Sequence, residues 1–191
     1  MDYLKARDNA LRRLQSELSP NLSYHGLHHT LKVCTRVEAL ADAENIQGKE
    51  LTLLQTAAVY HDIGFVEQYQ GHEAIGCRIV EETLPQFGYS DSEIEIIQRI
   101  IQATQVPQSP QNLLEKIMCD ADLDYLGSTD FFKVADTLRR EWEAYGFLSS
   151  PQEWQRLQIE LLENHQYFTS TAKAQRGPLK KKHLEALKAL Q

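Results

Sequence analysis

Cysteine is scarce in this chain. Cys34, Cys77 and Cys119 are the three among 191 residues, and no two of them form a Cys-x-x-Cys pair. An odd number of widely spaced cysteines argues against a disulfide framework, and the missing pairs argue against a zinc ribbon. Both absences are typical of a reducing compartment, so we expect a cytoplasmic protein.

Long apolar runs and an excess of basic residues are also missing. No window reaches the roughly 18 uncharged apolar residues of a membrane span, and the amphipathic opening Met1 to Lys5 does not resemble a signal peptide. The formal net charge is -7, and a surface of that sign repels a nucleic-acid backbone. We therefore expect neither a membrane nor a nucleic-acid duplex as a partner.

Strand signals are absent as well. The chain has no alternating β-branched segment and no Asn-Gly or Asp-Gly turn, whereas its apolar residues recur at helical spacing. This pattern predicts an all-α fold, a single compact multi-helix domain over residues 1–191. Helices are predicted at about residues 2–18, 27–43, 49–62, 72–84, 90–101, 111–127, 130–145, 151–165 and 171–190, with a Ser90–Glu93 capping box.

The predicted third helix is apolar on every side and ends in His61-Asp62. A helix without a polar face lies inside the fold, so both side chains are expected at its centre. Burying a carboxylate beside an imidazole is costly unless each has a partner, and one divalent cation serves both. The alternative is a core pair, in which His61 binds Asp62 or a backbone carbonyl.

Three of the seven histidines stand within five positions at the start of the predicted second helix, namely His25, His28 and His29. His29 lies four residues before Val33 and eight before Val37, on the inward stripe of the helix, and is the candidate ligand. His25 and His28 are expected at the rim of the site. The alternative is that the cluster is only a polar helix start.

Three aspartates, Asp120, Asp122 and Asp124, close the predicted sixth helix. Asp122 follows Met118 by four residues and shares its inward sector. Because the carboxyl end of a helix carries negative partial charge, clustered carboxylates are unfavourable there without a cation. The cluster therefore favours a metal site, with a solvated acidic helix end as the alternative.

Taken in order, His29, His61-Asp62 and Ala121-Asp122-Leu123 resemble the ligand set of the HD-domain superfamily of metal-dependent phosphohydrolases. The segment from Tyr24 to His29 is similar to the Tyr-His opening of that family. The resemblance implies one divalent metal ion, held by His29, His61, Asp62 and Asp122, and hydrolysis of phosphate esters, commonly of nucleotides.

This resemblance covers about residues 22–128, which would form the HD core. Residues 129–191 would form a C-terminal helical extension packed on that bundle. Two imidazoles and two carboxylates hold a borderline or hard divalent ion and leave positions for water and a substrate oxygen. Such an ion lowers the pKa of its water and neutralises charge on the phosphoryl group.

Two departures from the family pattern favour one metal ion over two. Members with two ions normally carry a further histidine at the end of the next helix, where this chain has Gln102-Ala103-Thr104-Gln105. The lysine that is frequent in the family shortly after His-Asp is also missing, since Ile63 to Val66 follow here. His72 would then donate a proton to the leaving group or contact the phosphate. The alternative is a surface histidine at a helix start.

The expected function is hydrolysis of a phosphate ester of a nucleotide or another small phosphorylated metabolite. Asp62 and His72 are the expected catalytic residues, and the expected substrate contacts are His25, His28, Glu73, Thr104 and Arg36. One alternative is a nucleotide-sensing module of the same fold without turnover. Another is a di-iron oxidase, which the missing histidine near Thr104 disfavours. The metal (Mn, Mg, Fe, Co, Ni or Zn), the substrate and the oligomeric state stay open.

Overall fold

A computed structural model describes residues 1–190 of the chain. These residues form nine α-helices joined by short turns and contain no strand, which confirms the predicted all-α fold. None of the described helices is both long enough and apolar enough to cross a lipid bilayer. The helices are α1 (Tyr3–Glu17), α2 (Leu27–Ala43), α3 (Gly48–Tyr60), α4 (His72–Thr83), α5 (Asp91–Gln102), α6 (Leu113–Asp122), α7 (Phe131–Ala144), α8 (Pro151–Asn164) and α9 (Ser170–Lys188).

Helix α3 lies at the centre of the fold. It packs against α1, α2, α5 and α6, and its residues Leu53, Leu54 and 56–60 are all buried. Each buried leucine stabilises this arrangement by about 1.5–3 kcal/mol. The prediction of a helix buried nearly all round is confirmed, and the chain that follows α3 begins in the protein interior.

Two helices end earlier than the sequence predicts. Helix α3 ends at Tyr60, so Asp62 lies in the turn beyond it, and α6 ends at Asp122 with a separate 3-10 turn at Asp124–Gly127. The predicted helices are too long because the turns that follow α3 and α6 also contain buried apolar residues, such as Ile63 and Leu126. The helix ends thus place His61, Asp62 and Asp122 where the chain changes direction.

Helix α9 packs on α2 and on the 3-10 turn after α6, α7 packs on that turn, and α8 packs on α9, so the C-terminal helices cover the bundle as predicted. Asp120 links α6 to the segment before α9. Its carboxylate accepts hydrogen bonds from the Phe168 amide at 2.7 Å and from the Thr169 amide and hydroxyl at 2.8 and 2.7 Å. Gly127 permits close approach of α9, since a Cβ atom there would lie 2.3 Å from the Arg176 carbonyl oxygen. A second apolar cluster lies between these helices and is formed by Leu126, Phe131, Ala135, Ile159, Leu162 and Leu187.

Candidate metal centre

Four side chains from three parts of the chain meet in the interior. His29 comes from the first turn of α2, His61 and Asp62 follow α3, and Asp122 ends α6. His29 Nε2 lies 3.1 Å from Asp122 Oδ1, 3.4 Å from His61 Nε2 and 3.5 Å from Asp62 Oδ2. His61 Nε2 lies 3.1 Å from Asp62 Oδ2 and 3.6 Å from Asp122 Oδ1. The structure brings together all four residues predicted as ligands.

These spacings suit a shared ion. Nitrogen and oxygen ligands about 2 Å from one divalent ion lie about 3 to 3.5 Å from one another in tetrahedral or octahedral geometry. The contacts above fall in or close to that range. His29, His61 and Asp122 each offer a ligand atom, and these atoms all lie within 4.8 Å of one another.

A backbone hydrogen bond orients His61. Its Nδ1 lies 2.8 Å from the Ala58 carbonyl oxygen, so Nδ1 carries a proton and donates it to that oxygen. Nε2 therefore faces His29 and the two carboxylates. Ligand histidines commonly donate their other ring N–H to a carbonyl in this way, which fixes both the tautomer and the ring orientation.

Asp62 supplies the test of whether the residues fit a metal ion. Its Oδ2 atom is buried and accepts no hydrogen bond from any of residues 1–190, and such an unsatisfied group costs about 1–3 kcal/mol or more. The core-pair alternative explains the His61–Ala58 bond but leaves this oxygen unsatisfied. A divalent ion would satisfy it together with the neighbouring ligand atoms, so the residues fit a metal.

Both carboxyl groups of the cluster are ionised. Burial raises the pKa of Asp62, but the neighbouring His61, His25 and His29 together lower it by more, so the pKa lies well below its usual value. Burial likewise raises the pKa of Asp122, and the hydrogen bonds with His29 and His61 bring it below its usual value. Carboxylates are the form that binds a metal ion.

The three neighbouring aspartates have different partners. Asp120 binds the backbone before α9. Asp124 pairs with Arg36 at 2.5 Å and with Arg176 at 2.8 Å. Asp122 is the member of the three that faces His29 and His61. The alternative of a solvated acidic helix end is therefore wrong.

His72 lies at the edge of the cluster rather than on the open surface. Its Nε2 is 3.5 Å from Asp62 Oδ1, and its Nδ1 is 3.2 Å from the Tyr69 carbonyl oxygen. Gly64 allows this approach, since a Cβ atom there would lie 1.9 Å from the His72 carbonyl oxygen. The neighbouring Glu73 is also buried, with its carboxylate 3.7 Å from His72 Nε2.

Glu141, a wholly buried carboxylate on α7, is not among the residues predicted from the sequence. It accepts hydrogen bonds from the Tyr24 and His25 amides, from His25 Nδ1 at 2.5 Å and from the Tyr69 hydroxyl at 2.7 Å. Burial lowers the pKa of His25, but the bond to Glu141 and the charges of Glu141, Asp62 and Asp122 together outweigh it, so the pKa lies above its usual value. No motif in the sequence marks Glu141, since its partners lie more than 70 residues away.

Two cavities reach the cluster from different sides. The aromatic cavity, of about 750 Å³, has Asp62, His72, Glu73 and Asp122 in its wall. Its aromatic lining consists of Tyr24, His25, Phe65, Tyr69, Tyr125 and Trp142. The α2–α9 cavity, of about 740 Å³, lies between those two helices and is lined by His29, Lys32, Arg36, Asp122, Asp124 and Arg176.

The residues predicted to contact substrate are distributed over this region. His25, Glu73 and Thr104 line the aromatic cavity, although the Thr104 hydroxyl already donates to the Ile101 carbonyl at 2.7 Å. Arg36 lines the α2–α9 cavity, where its guanidinium also binds Gln175. His28 is exposed and lines neither of these two cavities.

Comparison with sequence families gives a match to the HD domain over residues 26–124. An uncharacterized protein from Clostridium beijerinckii is 36% identical over 78 residues, which cover 39% of this chain and 49% of that protein. The chain thus spans about half the length of this curated relative.

Solved structures share the fold over nearly the whole chain. Bacillus subtilis YpgQ, crystallised in complex with ADP, is 23% identical with a TM-score of 0.65, covering 100% of this chain and 95% of that one. A Lactobacillus plantarum protein is 19% identical with a TM-score of 0.71, covering 99% and 94%. A predicted HD superfamily hydrolase from an uncultured Thermotogales bacterium is 20% identical with a TM-score of 0.64, covering 96% and 90%.

Proposed function

The chain belongs to the HD-domain family, and from this premise and the geometry of the four-residue cluster we propose that it is a metal-dependent phosphohydrolase. Its substrate would be a phosphate ester of a nucleotide or of another small phosphorylated metabolite. The observation that carries the proposal is the buried Oδ2 of Asp62, which has no hydrogen-bond partner among residues 1–190 and lies 3.5 and 3.1 Å from the Nε2 atoms of His29 and His61.

His29, His61, Asp62 and Asp122 would hold one divalent ion. When bound, the ion would supply Lewis acidity to the phosphoryl oxygens and to the attacking water. This donor set suits Mn²⁺, Fe²⁺, Co²⁺, Ni²⁺ or Zn²⁺, and water can complete the shell of Mg²⁺.

Asp62 and His72 would act together beside the ion. Asp62 presents Oδ2 to the ligand histidines and Oδ1 to His72 Nε2, at 3.5 Å. Because His72 Nδ1 donates to the Tyr69 carbonyl, a proton carried on Nε2 is the one that can pass to a leaving oxygen. Asp62 thus orients the proton donor as well as contributing to the metal site.

Donors for the phosphate surround the cluster. Tyr24 and Tyr125 line both cavities, and their buried hydroxyls have no hydrogen-bond partner among the described residues. Each would donate to a phosphate oxygen. His25, which is hydrogen-bonded to Glu141, and Arg36, which pairs with Asp124, would add positive charge on opposite sides of the phosphate. The ADP bound to the Bacillus subtilis protein supports a nucleotide as the ligand.

Turnover with a panel of nucleotides tests the proposal. Purified protein with Mn²⁺, Mg²⁺, Co²⁺ or Ni²⁺ is expected to release phosphate or a nucleoside from at least one of them. Asp62→Asn should lower kcat/KM by at least about 100-fold, because it replaces a charged carboxylate, placed between the ion and His72, with a neutral amide that has one oxygen instead of two. His72→Asn should lower kcat by about 100-fold or more and retain metal binding.

The matched control is Asp42→Asn, which changes an exposed aspartate of α2 in the same way and should leave turnover unchanged. Tight nucleotide binding without release would instead favour a nucleotide-sensing module. Release that persists in Asp62→Asn, or after chelation of all metal, would overturn the proposal.

A further inference from the structure

Helices α7 and α8 form one side of the aromatic cavity. Both lie beyond residues 26–124, the part of the chain that matches the HD domain. Asp62 and Asp122 of the metal cluster lie in the wall of the same cavity. Its volume of about 750 Å³ is within the roughly 300–1,000 Å³ that is usual for small-molecule pockets. A ligand with its phosphate at the cluster therefore shares this space with side chains of α7 and α8.

Gln158 is the buried polar residue that these two helices contribute to the wall. It is 4% exposed, whereas the other polar residues that α7 and α8 contribute, Glu160 and Asn164, are exposed. Buried positions are usually occupied by apolar side chains, and a polar group there needs a hydrogen-bond partner. The remaining wall residues from α7 and α8 follow this rule and are apolar or aromatic, namely Leu138, Trp142, Leu157 and Leu161.

The amide of Gln158 has no partner in the protein. Neither Oε1 nor Nε2 makes a hydrogen bond with any of residues 1–190, and neither atom is fully buried. The little surface that this side chain retains therefore includes its amide, and Gln158 lies in the wall of the aromatic cavity. Gln155, one turn earlier on α8, differs, because its Nε2 donates to the Leu187 carbonyl oxygen at 3.0 Å. The free amide of Gln158 offers one acceptor and two N–H donors to a ligand.

The charge of this side of the cavity excludes a phosphate from it. Among the wall residues of α7 and α8 the charged one is Glu160, a carboxylate, and none is a lysine or an arginine. A phosphate group would find no cation there and belongs at the metal cluster. A neutral flat ring would find apolar surface from Leu157, Leu161 and Trp142 and a neutral amide in Gln158.

We propose that Gln158 binds the heterocyclic base of a nucleotide in the aromatic cavity, with its amide hydrogen-bonded to the edge of the base. A base is flat and uncharged, and a donor stands beside an acceptor on its edge. Glutamine amides bind base edges through such paired hydrogen bonds. The inference deepens the proposed function, on which it rests for the position of the phosphate. It makes Gln158 a specificity-determining residue contributed by the C-terminal helices.

Titration with nucleosides tests this inference without any need for turnover, because nucleosides carry no phosphate ester. In full-length protein with ¹⁵N-labelled glutamine, at least one of adenosine, guanosine, cytidine and uridine is expected to shift the side-chain amide signal of Gln158 in NMR spectra. The amide of Gln55, which donates to Glu38 on the surface, should not shift. Ribose 5-phosphate has no base and should leave Gln158 unshifted.

Gln158→Leu tests the contact itself. Leucine suits a buried helical position, so the variant should fold with a Tm no lower than that of the wild type. It should bind the preferred nucleoside about tenfold more weakly, the value of one lost hydrogen bond, and should discriminate less among the four nucleosides. The indole N–H signal of Trp142, in the same wall, is the readout. Gln152→Leu is the matched control, since Gln152 is exposed on α8 and does not line the cavity.

The outcomes separate the two hypotheses. If no nucleoside shifts Gln158, or if ribose 5-phosphate shifts it as strongly, binding of the base by this residue is overturned, and these wild-type spectra decide even if the variant fails to fold. Unchanged affinity and discrimination in Gln158→Leu would overturn it as well, and phosphate release from nucleotides would then leave the proposed function standing. If nucleosides bind through Gln158 but no nucleotide is hydrolysed, the phosphohydrolase proposal fails and the base site stands.

Discussion

Three buried or half-buried histidines of this chain differ in what their ring nitrogens meet. Nδ1 of His61 donates to the Ala58 carbonyl, and Nδ1 of His183 lies 3.0 Å from the Leu126 carbonyl. The ring nitrogens of His165 have no hydrogen-bond partner among the described residues. Residue type alone does not distinguish these roles, because a histidine in sequence is equally a ligand, a core residue or a substrate contact until its surroundings are known.

The position of His165 has a consequence for stability. Its pKa is lowered from 6.5 to about 3 in the folded protein, chiefly by burial. Between these pH values the unfolded chain binds a proton that the folded protein does not bind, so stability falls as the pH falls from about 6.5 toward 3. From pH 7 to pH 4.5 the wild type should lose about 2 kcal/mol more unfolding free energy than His165→Phe does. Urea denaturation at the two pH values measures this, and equal losses in the two proteins would contradict it.

At the scale of elements, the turn between α3 and α4 determines the arrangement of the site. The turn Ile63–Val66 brings the start of α4 against Gly64, and this contact places His72 beside Asp62. Nothing in the sequence shows that Gly64 touches the next helix. Local periodicity predicts which residues are helical, but it does not predict how closely two helices approach each other.

Gly64→Ala should therefore be severely destabilising. The added Cβ atom would meet the backbone carbonyl of His72 at 1.9 Å, and a backbone atom cannot move aside as a flexible side chain can. We expect a loss of more than about 3 kcal/mol of unfolding free energy or failure to fold.

Gly76→Ala, within α4, is the control for that change. A Cβ atom there meets its nearest atoms at an ordinary 3.6 Å, so this variant should be neutral or stabilised by up to about 1 kcal/mol. Denaturation of both variants gives the comparison, and similar stabilities would show that the contact at Gly64 is not rigid.

At the scale of the whole molecule, the cluster joins helices that are far apart in the chain. His29 and Asp122 are 93 residues apart, and His61-Asp62 lie between them. An ion shared by α2, α6 and the chain after α3 would therefore cross-link the bundle in the folded state, whereas the unfolded chain would not present these ligands together.

Metal binding should accordingly raise stability. Free Mn²⁺ at about 100 times its Kd is expected to add about 2.7 kcal/mol to the free energy of unfolding, and excess chelator should reverse the gain. Thermal denaturation with and without Mn²⁺ measures the effect in the wild type. The His29→Ala variant should show little response, and an equal rise in Tm for both proteins would place the ion elsewhere.

The sequence by itself determined the all-α class, the position of most helices, the buried character of α3 and the identity of the four proposed ligands. These features follow from local periodicity and from the order of His29, His61-Asp62 and Asp122 along the chain, because helical hydrogen bonds join residues only four apart. The division of the chain into an HD core that ends at about residue 128 and a C-terminal extension that begins at residue 129 stays a prediction.

Only the tertiary structure decided which side chains share a space. It gave Asp120 and Asp124 partners of their own, placed Glu141 against His25 across 116 residues, and put His165 and Gln108 in the wall of one cavity. The physical reason is that these contacts depend on how whole helices pack. The packing of helices depends on many apolar surfaces at once. The sequence around a polar residue therefore does not show which other polar residues the packing will bring close to it.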